Sequence, residues 1–353
     1  MIELRTPNGL DALVPECEAE DPSPHFDADD LAGIASYYQA NGYVVIKGAL
    51  APSTCDRMRA LWDGEVKPST APIYRQETSR LERHRLNPQG WVMNPILNPH
   101  SVDPRRFPGF RRASRDLVLN SAGYARVLQT LFGGERPKVV QAMYFEGNSE
   151  TWEHQDSHYL DSEHIGSLAG VWFALEDIAP QAGRFFVCPG THRFDWPRRS
   201  LKDNVVDGHD AYIRSMLDTL RRSGAEVRSP ALRKGDAVIW NACTIHGSLG
   251  TQDERHSRSS FTVHAIPASH RFLRLHHTVT DVPTEDIGNV LLHAPRDLAL
   301  PRHRAVAWCE ENFPRPFWAI KKRLRRIAIR LDGLRTRKPA TPPPQARFSR
   351  SPR

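Results

Sequence analysis

Two side chains that could bind a metal ion stand two residues apart near the middle of the chain, His154 and Asp156. Successive side chains of an extended strand point to opposite faces, so residues two apart point the same way. We therefore expect this imidazole and this carboxylate to converge on one point, where they would supply two ligands of a two-His-one-carboxylate iron site. Three ligands seldom come from one short run, so we expect a distant histidine, His246, to supply the third.

A His-x-acid triplet carries little information by itself. The chain has 16 His and 41 Asp+Glu in 353 residues, for which chance predicts roughly 1.9 such triplets, and the sequence contains two. The other one, His25–Asp27, lies in an acidic, proline-containing stretch that predicts a loop. His154 follows a predicted strand and precedes several more, so its context favours a metal site.

The third candidate ligand, His246, lies near the end of the segment Asp236 to Ser248, which finishes with His246-Gly247-Ser248. Gly247 would let the backbone leave the strand where the histidine is presented. Arg258 stands twelve residues after His246 and opens the next predicted strand, so antiparallel pairing would bring it into the same cavity. Its planar guanidinium is suited to grip a carboxylate. We prefer it to Arg255, whose charged neighbours predict a solvated loop.

These side chains need a scaffold of short strands. Strands are predicted at 139–145, 170–175, 184–187, 237–240 and 261–266, separated by glycine and proline turn signals. Because these strands do not alternate with parallel-crossover helices, and only the segment 193–230 interrupts them, we expect an antiparallel barrel. The predicted fold class is mainly β with flanking α: a double-stranded β-helix (jelly-roll, cupin-like) core with N-terminal helices and a C-terminal basic helix.

Helices are predicted around this core. The first begins near Leu31 and ends at Asn41-Gly42, before a strand at 43–48. A second is opened by a capping box of Ser53 and Asp56. The others are predicted at 114–131 and 211–220. Residues 64–112 show no clear period and are typical of a lid or binding loop.

Charge and cysteine content limit the function classes. The net charge is +7, but residues 321–353 hold 12 Lys+Arg and one Asp, which leaves 36 basic and 40 acidic residues elsewhere. The body is thus mildly acidic, and we expect it to bind no nucleic acid. Five scattered cysteines without a Cys-x-x-Cys pair predict neither a disulfide framework nor a thiolate zinc site, so a cytoplasmic location is expected. No apolar run is long enough to cross a membrane.

Several motifs in order resemble the phytanoyl-CoA dioxygenase family of iron(II)- and 2-oxoglutarate-dependent oxygenases. The similarity covers residues 31–266, and most closely 139–192 and 235–266. The motifs are His154-Gln155-Asp156 with His158-Tyr159, residues 170–177, Ala182-Gly183-Arg184, residues 187–192, His246-Gly247-Ser248 and Arg258. His158 is interpreted as a wall residue beside the site rather than as a ligand.

The resemblance implies roles for six residues. His154, Asp156 and His246 would bind Fe(II), and Arg258 would pair with the far carboxylate of 2-oxoglutarate. Trp172 and Met143 would line the co-substrate pocket. Fe(II) with one carboxylate has charge +1, the 2-oxoglutarate dianion brings it to −1, and the guanidinium restores neutrality. The further co-substrate would be O2, with ascorbate as a candidate stimulant.

The expected reaction is hydroxylation of a small molecule or carrier-linked acyl group with release of succinate and CO2. Halogenases of related folds carry a small residue where Asp156 stands, so hydroxylation, desaturation or cyclisation is expected instead of halogenation. One alternative is a non-catalytic, cupin-like metal-binding barrel that acts as a sensor or binding protein. Another is a protein or nucleic-acid hydroxylase recruited by the basic tail. Neither the substrate nor the oligomeric state follows from the sequence.

Four segments are predicted along the chain: irregular residues 1–30, a dioxygenase domain at 31–270 with an insert at 193–230, a C-terminal extension at 271–334, and a disordered tail at 335–353.

Residues 317–334 alternate apolar and basic side chains with a period that predicts a basic amphipathic helix. Three interpretations of this helix remain open: its apolar stripe packs on the body, it lies on an anionic membrane surface, or it docks a partner or polyanion.

Overall fold

A computed structural model describes residues 1–120, 122–194, 209–274 and 279–335. The chain divides into two compact units, Met1–Arg304 and Ala305–Arg353. Part of the predicted insert, residues 195–208, and all of the predicted tail beyond Arg335 lie outside the described residues.

The strands are short, as the turn signals predict. They are β1 (Ile2–Arg5), β2 (Asp11–Val14), β3 (His25–Asp27), β4 (Tyr43–Lys47), β5 (Ile73–Tyr74), β6 (Leu81–Glu82), β7 (Ile96–Leu97), β8 (Pro137–Phe145), β9 (Thr151–His154), β10 (Asp161–Ser162), β11 (Ala169–Ala174), β12 (Phe185–Val187), β13 (Ala237–Asn241), β14 (His246–Ser248), β15 (Ser260–Pro267), β16 (Phe272–Leu273), β17 (Val279–Thr280), β18 (Glu285–Ile287) and β19 (Val290–Leu292).

The described residues also form helices. They are α1 (Leu31–Asn41), α2 (Pro52–Leu61), α3 (Pro108–Asn120), α4 (Ala122–Leu131), the single turn α5 (Asp156–Tyr159), α6 (His209–Ser223), α7 (Pro301–Asn312) and α8 (Pro314–Arg335). The π-helical turn Trp62–Val66 continues α2. Gly42 ends α1 with φ +76°, a left-handed conformation that glycine adopts without strain.

A large mixed sheet forms the body of the first unit. Its order is β18-β19-β8-β15-β11-β13-β4-β3, with β7 also paired to β8. The central pairs are antiparallel, and the pairs β19–β8 and β3–β4 are parallel. A second sheet of three strands, β12-β14-β9, is wholly antiparallel. Two opposed sheets of this kind form the predicted double-stranded β-helix, so the predicted fold class is confirmed.

Side chains alternate along the central strand β15, so that apolar residues point to one face of the sheet and polar residues to the other. In β15 the residues Phe261 and Val263 belong to a hydrophobic core that also contains α2, α3 and α4 side chains such as Met58 and Leu128. Ser260, Thr262 and His264 occupy the alternate positions and point to the other face. One face of the sheet therefore binds the helices, and the opposite face is left for polar chemistry.

The smaller sheet covers that opposite face. Phe185 of β12 lies 5.0 Å from Trp240 of β13 and 6.5 Å from Trp172 of β11, measured between ring centroids. The outer side of the small sheet is covered in turn, because Phe186 and Ile245 form a separate core with α6 and the β1–β2 hairpin. The site lies between the two sheets.

The first 30 residues are more regular than expected. Strands β1 and β2 form a hairpin, and β3, at the triplet His25–Asp27 predicted to be a loop, pairs with β4. The hairpin is tied to the ligand-bearing strand β9 through the buried carboxylate of Glu153. Thr6 Oγ1 donates a short hydrogen bond to it, and Asn8 Nδ2 donates another at 2.5 Å. Neither contact has a signature in local sequence.

The helix predictions are correct in position and imprecise at their ends. The predicted helix 114–131 falls within α3 and α4, and position 121 between them lies outside the described residues. The predicted capping box is wrong, since α2 begins at Pro52 behind Ala51 and no side chain caps it. The body also continues past the predicted boundary at 270, because β19 extends the large sheet beside β8.

The C-terminal basic helix predicted at 317–334 is present as α8, a single helix of 22 residues. Among the described residues, none of the helices combines the length and the apolar character that a membrane span requires. The side chains at 325, 326 and 328–335 are not described.

We predict that Phe173→Ala lowers the free energy of unfolding by about 3–5 kcal/mol. The ring is fully buried on the helix-covered face and meets Tyr124 edge-on at 5.2 Å between centroids, so its removal leaves a cavity. Urea unfolding followed by circular dichroism measures the loss. Phe173→Leu is the control and should cost clearly less. A loss below about 1 kcal/mol for the alanine variant, typical of surface sites, would contradict the packing described.

Candidate metal centre

The two candidate histidine ligands face each other across the small sheet. Strands β9 and β14 pair so that His154 lies directly opposite His246. Residues directly opposite in an antiparallel pair point to the same face, and the two imidazole centroids are 4.3 Å apart. Two residues separated by 92 positions are thus brought together by strand register alone.

Asp156 joins them from the end of β9. It is not on the strand, as the alternation argument assumed, but is the first residue of the one-turn helix α5. Gln155 between them is extended, with φ −109° and ψ 131°, so the carboxylate still turns toward His154. Asp156 Oδ1 lies 3.7 Å from His154 Nε2, and Oδ2 lies 3.6 Å from His246 Nε2. The three ligand atoms all fall within 4.8 Å of one another.

Backbone carbonyls orient both rings. Nδ1 of His154 lies 2.8 Å from the carbonyl of Trp152, and Nδ1 of His246 lies 3.0 Å from the carbonyl of Thr244. A carbonyl only accepts, so each Nδ1 carries the proton and donates it. Each Nε2 then has a free lone pair directed to the shared point, which is the form in which an imidazole binds a metal ion.

The charge state of the cluster also suits a cation. Burial lowers the pKa of His246 to about 3, so the imidazole is neutral at neutral pH. Burial alone would raise the pKa of Asp156, but the neighbouring His246, His264 and His154, with the indole N–H of Trp240, hold the pKa below its ordinary value. The cluster therefore presents the neutral imidazole of His246 and a carboxylate beside the imidazole of His154, and two imidazoles with one carboxylate are the donor set that Fe(II) takes in this geometry.

Trp240 holds the carboxylate in place. Its Nε1 donates a 2.8 Å hydrogen bond to Asp156 Oδ2. The indole lies over Gly170 on the neighbouring strand, where a Cβ atom would come within 2.2 Å of the indole carbons Cε2 and Cζ2. Only glycine at this position leaves room for the ring.

His264 is a buried residue that sequence reasoning missed. Its Nε2 lies 3.5 Å from Asp156 Oδ2, and its Nδ1 lies 3.1 Å from Gln141 Oε1 on the adjacent strand β8. Like Trp240, it reaches the carboxylate from the large sheet. The available signal was its spacing from Arg258 and Thr262, since even separations along a strand place side chains on one face.

Arg258 lies on this same side of the large sheet, just before β15. Its guanidinium is 5.8 Å from the ring centroids of both Trp172 and Phe145. Its Nη1 donates to the carbonyl of Gly183 at 3.0 Å. Within the described part of the chain this buried guanidinium has no carboxylate partner, and its Nε has no hydrogen-bond partner. Burial lowers the pKa of Arg258 to about 10, so it remains cationic at neutral pH.

Trp172 and Met143 lie in one row across the sheet. Thr262 of β15 is directly opposite Trp172 of β11 and Met143 of β8. All three are buried. The hydroxyl groups of Thr262 and Ser260 are buried and make no hydrogen bond to the described residues. These hydroxyl groups lie on the same sheet face as Arg258, whose guanidinium has no carboxylate partner among the described residues, and together they are suited to bind an anionic group.

The remaining candidates are outside this group. Arg255 is exposed and pairs with Asp253 at 2.6 Å, which agrees with its interpretation as part of a solvated loop. His158 stacks on Tyr212 with ring planes 2° apart and a centroid distance of 3.7 Å. It does not belong to the three-residue cluster. Of the three candidate ligands His154 is the most accessible, so the site opens to solvent on its side.

A double-stranded β-helix with a His-x-Asp…His cluster defines a mononuclear non-haem iron oxygenase. The sequence matches the family model described as "Phytanoyl-CoA dioxygenase (PhyH)" over residues 38–257. The chain belongs to the phytanoyl-CoA dioxygenase family and is a 2-oxoglutarate-dependent oxygenase.

The chain aligns with two known relatives over most of their length. "Phytanoyl-CoA dioxygenase domain-containing protein 1" of Bos taurus is 28% identical over 265 residues, which are 66% of this chain and 88% of the relative. "Phytanoyl-CoA dioxygenase 1" of Oryza sativa subsp. japonica is 28% identical over 254 residues, 65% of this chain and 86% of the relative.

Solved structures share the fold at low identity. SnoK, a "non-heme alpha ketoglutarate dependent carbocyclase" from nogalamycin biosynthesis, gives a TM-score of 0.52 at 18% identity and covers 71% of this chain and 90% of its own. The apo form of EctD from S. alaskensis gives 0.50 at 17% identity, with 81% and 92% coverage. At these identities the likeness establishes the jelly-roll fold.

We predict that Gly170→Ala weakens Fe(II) binding about tenfold or more. The added methyl group displaces the indole of Trp240 and breaks its hydrogen bond to Asp156. Anaerobic calorimetric titration with Fe(II) measures the affinity. Gly64→Ala is the matched control, because a Cβ there meets no atom within 4 Å. Trp240→Phe, which removes the N–H without crowding, should weaken binding in the same direction. Unchanged affinity in both would contradict the role given to Trp240.

Proposed function

We propose that the chain hydroxylates a small molecule or a carrier-linked acyl group, with His154, Asp156 and His246 as the Fe(II) ligands. One observation carries the proposal: the distant residue His246 joins His154 and Asp156 in one cluster of ligand atoms, and the buried Arg258 on the adjacent sheet face has no carboxylate partner among the described residues. The overall reaction balances as substrate C–H, 2-oxoglutarate and O2 giving substrate C–OH, succinate and CO2. One oxygen atom enters the hydroxyl group and the other enters succinate.

A ferrous ion bound to the three ligands would supply the redox chemistry that activates O2, which no protein side chain provides. The protein positions the reactants. Trp240 and the carbonyls behind both imidazoles fix the ligands before the ion binds. This preorganisation reduces the reordering that binding requires.

Arg258 would hold the far carboxylate of 2-oxoglutarate. Its guanidinium can form two parallel, charge-assisted hydrogen bonds to a carboxylate. Ser260 and Thr262 provide hydroxyl donors on the same face, and Trp172 and Met143 supply apolar walls. The burial of an unpaired cation is costly, so a carboxylate ligand explains why this arginine is kept here. A barrel that only binds metal has no need for it.

The substrate would approach over His154. This imidazole is the most accessible of the ligands, and the rings of Tyr159 and His158 stand beside it. Asp156 fills the ligand position that a halide would otherwise take, which favours hydroxylation. Ascorbate is proposed only as a reductant that keeps iron ferrous during assays.

Asp156→Ala and His246→Ala are each predicted to abolish the conversion of 2-oxoglutarate to succinate, because each removes one iron ligand. Succinate release by full-length protein with Fe(II), O2 and a panel of candidate substrates measures this. Asp27→Ala, in the second His-x-Asp triplet, is the matched control and should retain activity. Turnover that survives both ligand substitutions would rule out the assigned site.

Arg258→Ala is predicted to raise the KM for 2-oxoglutarate on the order of 30-fold or more, as expected when one partner of a buried charged pair is removed. The kcat at saturating co-substrate should change much less. Arg255→Ala serves as the control, since that side chain pairs with Asp253 at the surface. An unchanged KM in the Arg258 variant would exclude this residue from co-substrate binding.

Spectroscopy separates catalysis from simple metal binding. An anaerobic sample with Fe(II) and 2-oxoglutarate should develop a weak visible charge-transfer band when the co-substrate chelates the ion. A sensor or storage barrel would bind Fe(II) and remain colourless on addition of 2-oxoglutarate, and that result would favour the non-catalytic alternative.

A further inference from the structure

Helix α8 presents an apolar stripe at the surface. Ile320, Leu324 and Ile327 are 57%, 61% and 52% exposed. Residues three and four positions apart lie on the same side of a helix, so these side chains form one continuous strip. Large aliphatic side chains in a contiguous exposed patch mark a binding surface.

Aromatic residues of the same unit add further exposed apolar surface. Trp308 and Phe313 are 57% and 53% exposed, and their ring centroids are 5.7 Å apart. Phe317 and Trp318 form a second ring pair at 5.7 Å. Aromatic side chains of this kind are enriched where a protein meets the headgroup region of a bilayer.

The rest of α8 is strongly cationic. Between Pro314 and Arg335 the helix contains eight Lys and Arg residues and one Asp, a net charge of +7. Lys322 and Arg323 are exposed beside the apolar stripe. Apolar and basic residues thus alternate along one helix with a helical period.

The apolar stripe and the basic residues of α8 together favour one of three possible partners. A nucleic acid would satisfy the charges and leave the apolar stripe in water. A second copy of the helix would cover the stripe and bring two helices of charge +7 together. A surface of anionic phospholipid satisfies both, because it offers phosphate groups to the basic side chains and acyl chains to the apolar ones.

We propose that α8 binds the surface of membranes that contain anionic phospholipids and lies in the plane of the interface, with Ile320, Leu324 and Ile327 inserted among the acyl chains. Lys321, Lys322 and Arg323 would contact the headgroups. This proposal is independent of the chemistry proposed for the metal centre and assigns a location for the oxygenase, next to the lipid phase.

Sedimentation of full-length protein with vesicles tests the proposal. Protein should pellet with vesicles of phosphatidylcholine mixed with phosphatidylglycerol and remain in solution with phosphatidylcholine alone. Leu324→Glu and the double variant Lys322→Glu/Arg323→Glu should each lower the partition coefficient about tenfold or more. Higher salt should weaken the binding, because it screens the charges.

Two matched variants in the first unit serve as controls. Leu13→Glu replaces a leucine that is 52% exposed on β2, and Arg221→Glu/Arg222→Glu reverses an exposed basic pair at the end of α6. Both should bind vesicles like the parent protein. Far-ultraviolet circular dichroism of every variant separates loss of binding from loss of folding.

Three outcomes would overturn the proposal. The first is equal binding to neutral and anionic vesicles, or no binding to either. The second is equal loss of binding in the α8 variants and in their controls. The third is self-association in analytical ultracentrifugation without lipid that Leu324→Glu abolishes, which would assign the stripe to a second copy of the chain.

Discussion

The pairing of β9 with β14 is the constraint on which the site depends. It places His154 directly opposite His246, so that both imidazoles lie on one face of the small sheet. A slip of one residue would turn one imidazole away from the other, because the side-chain period of a strand is two. The register is protected from both sides: β14 also pairs with β12, and Gly247 lies against Phe186, where a Cβ would come within 2.7 Å of the ring.

The large sheet supports the small one because its two faces differ: one packs on the helices and the other faces the site. One face carries side chains such as Val171 and Phe173 into the helical core, which stabilises the strands without involving the metal centre. The opposite face carries Trp172, Trp240 and His264, so the pocket rests on a rigid support. The separation of the two faces requires that side chains alternate strictly along each strand. Substitutions on one side of a strand can then change stability, and those on the other side can change reactivity.

Much of the site could be predicted from local pattern. Even spacing indicated that His154 and Asp156 point alike, and it held although Asp156 lies on a helical turn, because Gln155 remains extended. The motif order identified the family, and the spacing from His246 indicated Arg258, whose role in binding the co-substrate stays a prediction. The roles of His264 and Trp240 could not be predicted in this way, since each depends on which residue lies across the strand pair.

The misjudged elements have the same cause. His25–Asp27 is a strand because β4 offers it a parallel edge, a long-range contact that outweighs the acidic and proline-containing local sequence. Helix α2 begins behind Ala51 because Pro52 is favourable at a first helical position, so the nearby capping residues were not used. In both cases the tertiary or backbone context decided what side-chain propensity left open.

The contact between the N-terminal hairpin and Glu153 bears on how the enzyme is handled in the laboratory. Glu153 precedes His154 on the same strand and points to the opposite side, where Thr6 and Asn8 grip its carboxylate. Trimming the first ten residues, or fusing a bulky tag against them, would release these hydrogen bonds and loosen the strand that carries the proposed iron ligand His154. A preparation altered there could lose its iron with every assigned ligand intact.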